Sequence, residues 1–264
     1  MLRLFRAIVR LSFHQQLSYR TAMLAGLATN LFFGLMRAFV LIALYHERES
    51  VNGLSLQGAV TYVAFSQAMI AFLWIFGSWD LMNSVITGAV GTDLLKPLPL
   101  FWLWMARDAG RSLVNLVTRG LLLLILYSFF FAIYLPSRPV QWLGLLLAMV
   151  LGWLVSFAWR FLVNLAAFWS PDARGFGRVA FTVSQLFSGF LMPLRLYPDW
   201  FANFCLLTPF PALFNTSAEI YLGVLQGNAM WTALLGQVAW FAVLAVLAHL
   251  ALNAGIRRLV VQGG

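Results

Sequence analysis

Acid–base, nucleophilic and metal chemistry all need a few side-chain types brought close together, and this sequence has few of them to cluster. Eight carboxylates, three histidines and one cysteine are spread over 264 residues. Glu47 and Glu49 form the one close acidic pair, in a stretch, HERES, that reads as a solvated turn. His14, His46 and His249 fall in separate segments with no ligand spacing. Cys205 stands alone, which excludes an intrachain disulfide and a thiolate metal site. The sequence has no GxxxxGK(S/T) phosphate loop, no GxSxG nucleophile elbow and no HExxH pair. The chain therefore advertises neither nucleotide binding nor hydrolysis, and no cofactor is expected on it.

What stands out instead is GAVGTDLLKPLPL, residues 88 to 100, which holds the only lysine of the chain. Gly88 and Gly91 permit turns that a Cβ resists, and Pro97 and Pro99 end any helix begun at Asp93. Thr92 or Asp93 is a suitable cap for that helix, and Leu94 and Leu95 give it an apolar face. Two readings of this element stand: a short exposed helix that docks in a groove on a partner protein, or a tight loop folded onto the membrane surface.

The elements that must position it are spans. Hydrophobic residues make up 62% of the chain and charged ones 9%, and stretches such as LLLLILYSFFFAIYL offer no polar face. Such runs exceed the roughly 18 apolar residues that mark a membrane-crossing helix, and a soluble helical domain is excluded. Six spans are predicted, near residues 22 to 45, 58 to 83, 112 to 135, 140 to 168, 177 to 194 and 230 to 253. Together they make residues 1 to 264 one all-α membrane domain, with no segment large enough for a separate aqueous domain.

Charge sets the expected orientation. With the N-terminus inside, thirteen of the seventeen basic residues, Lys96 and Arg107 among them, fall on the cytoplasmic side. The net charge of +9 is then a topology signal, reinforced by anionic lipid, and calls for no nucleic acid. Within MLRLFRAIVRLSFHQQLSYR, Arg3, Arg6, Arg10 and His14 recur at helical spacing against a stripe of Leu4, Ile8 and Leu11. This segment reads as an amphipathic helix on the cytoplasmic leaflet rather than a cleavable signal.

The connection at 195 to 229 lies outside by parity yet carries Trp200, Phe201, Phe204, Phe210, Phe214 and Tyr221 among Pro198, Pro209 and Pro211. Prolines break such a segment into short helices whose freed backbone groups need protein or water, which predicts a hairpin re-entering the outer leaflet. An interfacial aromatic belt is the alternative. Glu219 is costly against lipid and is expected to face protein or an aqueous vestibule. Arg37 sits inside the first span: either it snorkels or joins a structural salt bridge, or it lines a pathway or pairs with Asp80 of another helix. Asn30, Asn115 and Asn164 are expected to join helices by hydrogen bonds.

Three patterns carry a family resemblance: WDLMNSVITGAVGTDLLKPL at 79 to 98, SGFLMPLRLYPDWF at 188 to 201 and TPFPALFNTSAEIYLG at 208 to 223. With the six spans and the basic surface helix, the chain resembles the membrane subunit of a type-2 ATP-binding-cassette (ABC) exporter, in the small branch similar to drug and viologen export permeases. The resemblance implies a half-transporter in the cytoplasmic (inner) membrane, assembled with a second permease copy or a paralogue and with two copies of a separate ATPase that carries ATP and Mg²⁺. It identifies residues 88 to 98 as the coupling helix, with Asp93, Leu94, Leu95, Lys96 and Pro97 exposed to the ATPase. It also implies re-entrant helices before the last span. The aromatic fraction of 16% suits an amphiphilic or apolar cargo, such as a drug, xenobiotic or lipid-like molecule, entering from the inner leaflet. A secondary transporter would show internal repeats and several midplane ionisable residues. A membrane-embedded lipid-modifying enzyme would show a compact acid, base or metal constellation; these two classes stand as the alternatives, although the sequence offers only Arg37 inside a span, no evident duplication and no such constellation.

Overall fold

The computed structural model describes residues 1–46, 48, 50–170 and 172–258. Glu47 and Glu49, read above as a solvated turn, lie outside the described residues. Twelve α-helices are described: α1 Leu2–Leu17, α2 Arg20–Tyr45, α3 Leu56–Leu73, α4 Asp80–Ile86, α5 Val90–Leu94, α6 Leu100–Asn115, α7 Leu121–Phe130, α8 Pro139–Asn164, α9 Ala173–Phe187, α10 Asp199–Leu206, α11 Asn215–Tyr221 and α12 Gly227–Ile256. A π-helical turn, Leu116–Gly120, makes α6 and α7 one continuous rod.

Five of these units are long and apolar enough to cross a membrane: Arg20–Tyr45, Leu56–Leu73, Leu100–Phe130, Pro139–Phe168 and Gly227–Ile256. The span expected at 177 to 194 is represented by α9, whose 15 residues reach only about 22 Å at 1.5 Å per residue. Two other boundaries move. The second span ends at Leu73 rather than near 83, because Trp74 and Gly77 take positive φ values of 51° and 86° and turn the chain. The third begins at Leu100 rather than 112, because Pro99 fixes the helix start and no breaker follows.

Among the described residues, one small feature is neither helical nor irregular. β1 (Ser50–Val51) and β2 (Leu54–Ser55) pair antiparallel across Asn52 and Gly53, both at positive φ. An Asn-Gly pair favours the tight turn of a two-residue hairpin, so this correction to an all-α reading was written in the sequence.

α3 is the hub, with most of its side chains buried. Around it Tyr62, Phe65, Tyr127, Phe214, Tyr221 and Met230 form the largest core cluster. A second cluster beneath the α4–α5 end joins Leu81, Val90, Phe101, Phe157 and Phe161 to Ala248 and Leu252 of α12. At the opposite end the 188–226 connection folds inward. Gln141 of α8 donates to the carbonyls of Ile220 and Tyr221 at 2.9 Å, covering the C-terminal end of α11. Gln237 of α12 donates to Ala212 at 2.8 Å and to Ala148 at 3.1 Å. Cys205, on α10, is fully buried.

Candidate functional site

Between α3 and α6 the chain makes a helical elbow, and each of its bends has a local cause. Gly77 packs so close to the Phe181 ring that a Cβ would collide with it. Gly88 takes φ 74°, which ends the α4 turn. Gly91 uses no such freedom: it lies inside α5 with open space where a Cβ would be. Nor does a side chain cap α5. The helix starts after Ala89, and Thr92 donates its hydroxyl back to the Ala89 carbonyl at 2.8 Å.

Asp93 is not exposed as expected: its side chain is 6% accessible because it turns inward to cations. Arg107 of α6 grips it with two bonds of 2.7 and 2.8 Å, and Lys96 adds a third at 2.7 Å. Burial alone would raise the Asp93 pKa, but the hydrogen bonds and charges of Arg107 and Lys96 outweigh it and hold the carboxyl below its ordinary range. Leu94 also turns inward, onto the second core cluster. Leu95 does the opposite, at 88% exposure, with Lys96 and Pro97 exposed beside it.

The elbow is tied to three helices. Asp80 pairs with Arg111 of α6, whose guanidinium lies 5.4 Å from the Trp74 ring centre. Asn164 at the end of α8 accepts from the Met82 backbone at 2.9 Å and donates to the Ser78 carbonyl at 2.8 Å. Arg174 of α9 donates to Asn83 at 2.7 Å.

One layer deeper lies a buried ion pair. Arg160 of α8 meets Asp108 of α6 through bonds of 2.8 and 3.0 Å, and Trp153 donates to the same carboxylate at 2.8 Å. Both charged side chains are about 95% buried, at 5% and 4% exposure. Ser156 joins this group to the end of α3 by donating to the Leu73 carbonyl at 2.6 Å. Charge counting alone assigned Arg160 to topology and missed its pairing with Asp108. The signal was available: Ser156, Arg160 and Asn164 recur every four residues on one face of an otherwise apolar span.

α1 packs along α6, with Gly110 allowing the approach; a Cβ there would come 2.8 Å from Ser12 and 2.9 Å from the Phe13 nitrogen. Arg3, Arg6 and Arg10 remain on the exposed face, while Leu4, Phe5 and Ile8 pack towards the second cluster. A cavity of about 600 Å³ opens between α1, α6 and the Lys96–Pro97 turn.

At the far end, Arg37 does not reach Asp80. It donates to the carbonyl of Phe190 at 3.0 Å and to that of Leu191, where the backbone after α9 is irregular. Gln67, with its amide turned to satisfy both neighbours, accepts from Arg37 at 3.1 Å and donates to the Asn30 carbonyl at 3.2 Å. Tyr62 donates to the Gly189 carbonyl at 2.8 Å. Glu219 faces protein and pairs with Arg195 at 3.5 Å, and Asn52 of the β-hairpin turn donates to the Arg195 carbonyl at 2.8 Å. Phe210 and Tyr221 are buried, Pro209 is half-buried, and Trp200 and Phe204 are exposed. Of the three asparagines, Asn164 joins α8 to the elbow and Asn115 joins α6 to α3 through the Ala71 carbonyl at 3.3 Å. Asn30 contributes its backbone carbonyl, not its side chain.

Five long apolar helices around buried ionic ties define a multi-pass membrane protein. The profile of the family described as ABC-2 family transporter protein matches residues 31–263, and the chain belongs to that family. It is a type-2 ABC permease, the membrane component of a transporter whose ATPase is a separate partner. No curated protein and no solved structure is significantly similar to the chain.

Proposed function

We propose that this permease exports an amphiphilic or hydrophobic compound, such as a drug, xenobiotic or lipid-like molecule, across the inner membrane, with residues 88 to 98 as its contact to the ATPase. On this reading the chain pairs with a second permease copy or a paralogue and with two ATPase copies, which bind ATP and Mg²⁺. Both termini are cytoplasmic, α9 extended by its following turn serves as the fifth of six spans, and the α10–α11 hairpin between the fifth and sixth re-enters the outer leaflet. The basic residues gathered at the α1 and elbow end support this orientation.

The observation that carries the reading is the pairing of an exposed leucine with a rigid mount. Leu95 projects from an element whose neighbour, Asp93, is clamped to α6. A push on α5 is therefore delivered to α6, and through Asp108 and Arg160 to α8, as movement of packed rods. Burying Leu95 in a partner would contribute about 1.5–3 kcal/mol. The test is co-purification of the co-expressed ATPase with Leu95→Asp, alongside transport-coupled ATP hydrolysis. Loss of the ATPase from a variant that still inserts and folds is expected; full retention with normal turnover would move the coupling surface elsewhere.

A further inference from the structure

We infer that Arg119, at the seam between α2 and the α6–α7 rod, binds the anionic head of an amphiphile drawn from the inner leaflet; resting on the export reading above, this makes the cargo a negatively charged one. The other arginines within the spans are all engaged. Arg37 donates to two carbonyls, and Arg107, Arg111 and Arg160 each hold a carboxylate. Among the described residues Arg119 makes no ion pair, and its Nε is buried without an acceptor. Its terminal nitrogens find no partner there either, yet they are not sealed, for the side chain is only half-buried. Arg119 stands in the π-helical turn Leu116–Gly120, a distortion that recurs at functional sites. Its guanidinium lies against Gly26 of α2, where a Cβ would collide with it. The 26 residues of α2 run about 39 Å against about 30 Å of hydrocarbon, and Gly26 is about 9 Å from the Arg20 end. The charge is therefore held just inside the hydrocarbon edge instead of reaching out to water. A free guanidinium at that depth calls for an acceptor carrying negative charge, and a carboxylate, sulfate or phosphate head matches its fork.

The surroundings favour a head in transit over a resident lipid. Further along α2 the Asn30 carbonyl accepts from Gln67 and Tyr127, and beyond it Arg37 donates to the Phe190 carbonyl. Polar groups thus run from Arg119 at one end of the seam to Arg37 at the other, about 16 Å along α2. A lipid parked at the inner edge needs only the first of them, whereas a charged head crossing the membrane needs the series. Val117 and Leu122, both exposed near Arg119 on the rod, supply apolar surface for the chain that carries the head.

The experiment is photocrosslinking of the full-length permease in phosphatidylcholine nanodiscs with two probes that carry a diazirine near the head, dodecyl phosphate and dodecyltrimethylammonium. The phosphate probe is expected to label residues 23 to 30 and 116 to 122, and the ammonium probe to leave them unlabelled. Arg119→Gln should raise the concentration for half-labelling about tenfold. Gly26→Ala, which keeps the charge but displaces the guanidinium, should weaken labelling too, and Arg257→Gln, which removes an exposed charge elsewhere, should change nothing. Arg119→Lys should retain most of the labelling, and with Arg119→Gln it decides the matter even if Gly26→Ala aggregates on size exclusion. Equal labelling by both probes, undiminished labelling of Arg119→Gln, or displacement by inorganic phosphate or phosphatidylglycerol as readily as by unlabelled dodecyl phosphate would overturn the proposal. ATP hydrolysis by the assembled transporter separates the site from the export reading. Stimulation by the phosphate probe alone, lost in Arg119→Gln, supports both. Equal stimulation by the two probes keeps export and overturns the anionic head, whereas Arg119-dependent labelling without stimulation keeps the site and tells against export.

Discussion

Asp108 and Arg160 show how much a membrane protein risks on single side chains. Each is buried among apolar rods and neutralised by the other through two bonds, with Trp153 satisfying the carboxylate further. Removing one partner leaves a bare charge out of water, which costs about 3–5 kcal/mol, whereas removing both costs much less. Asp108→Leu and Arg160→Met are therefore each expected to lower thermal stability sharply, and the double variant to recover much of the loss. A double variant worse than either single would show that the pair is not the unit. Asp93 makes a prediction about pH. Its folded pKa lies below the ordinary 3.8, so the stability it supplies is fully present above that value and fades as pH falls through the lowered one. The melting temperature of Asp93→Asn should trail wild type by a constant margin from pH 8 to about 5, and the margin should close only below the ordinary carboxylate range.

The elbow shows which of its glycines matter. Gly77→Ala forces a Cβ into the Phe181 ring at a left-handed φ, and is expected to cost about 1–3 kcal/mol. Gly91→Ala meets open space inside a helix and should be neutral or stabilising by roughly 0.5–1 kcal/mol. Thermal melts of the two variants check both, and equal effects would contradict this account of the bends. The sequence showed that something special lay at 88 to 98, because composition changes abruptly there, but it could not show which way each side chain turned. Alternation between Asp93 facing in and Leu95 facing out follows from where Arg107 sits, one helix later, and no local pattern encodes that. Span existence was legible from hydropathy, since long apolar runs have one solution in lipid. Span ends were less so: α3 stops because Trp74, beneath the Arg111 guanidinium, and Gly77, against the Phe181 ring, both take positive φ, and those partners lie far away in the sequence. The Asn52–Gly53 hairpin and the Ser156–Arg160–Asn164 stripe were visible in the letters and went unread. Arg37 was recognised as anomalous, yet its partners are backbone carbonyls, which a sequence cannot single out.

Across the whole molecule, ionic ties gather at the elbow end and carbonyl-directed ties at the hairpin end. The chain carries no phosphate-loop motif, so the purified permease is expected to hydrolyse no ATP above background. Hydrolysis that persists through a further purification step would contradict a separate motor. If residues 200 to 221 re-enter the outer leaflet, single cysteines placed along them in a Cys205→Ser background should alternate between protected and reactive toward an impermeant thiol reagent. Uniform rapid labelling would mean a solvated loop. The native thiol has a use of its own. Sealed at zero exposure on α10, Cys205 can meet a small reagent only during moments when its surroundings part, so its modification rate in the unaltered chain measures how often the hairpin breathes. A protein with one cysteine, placed in this wall, is its own stopwatch for that event: turnover by the assembled transporter should quicken the reaction, and a trapped nucleotide state should slow or fix it.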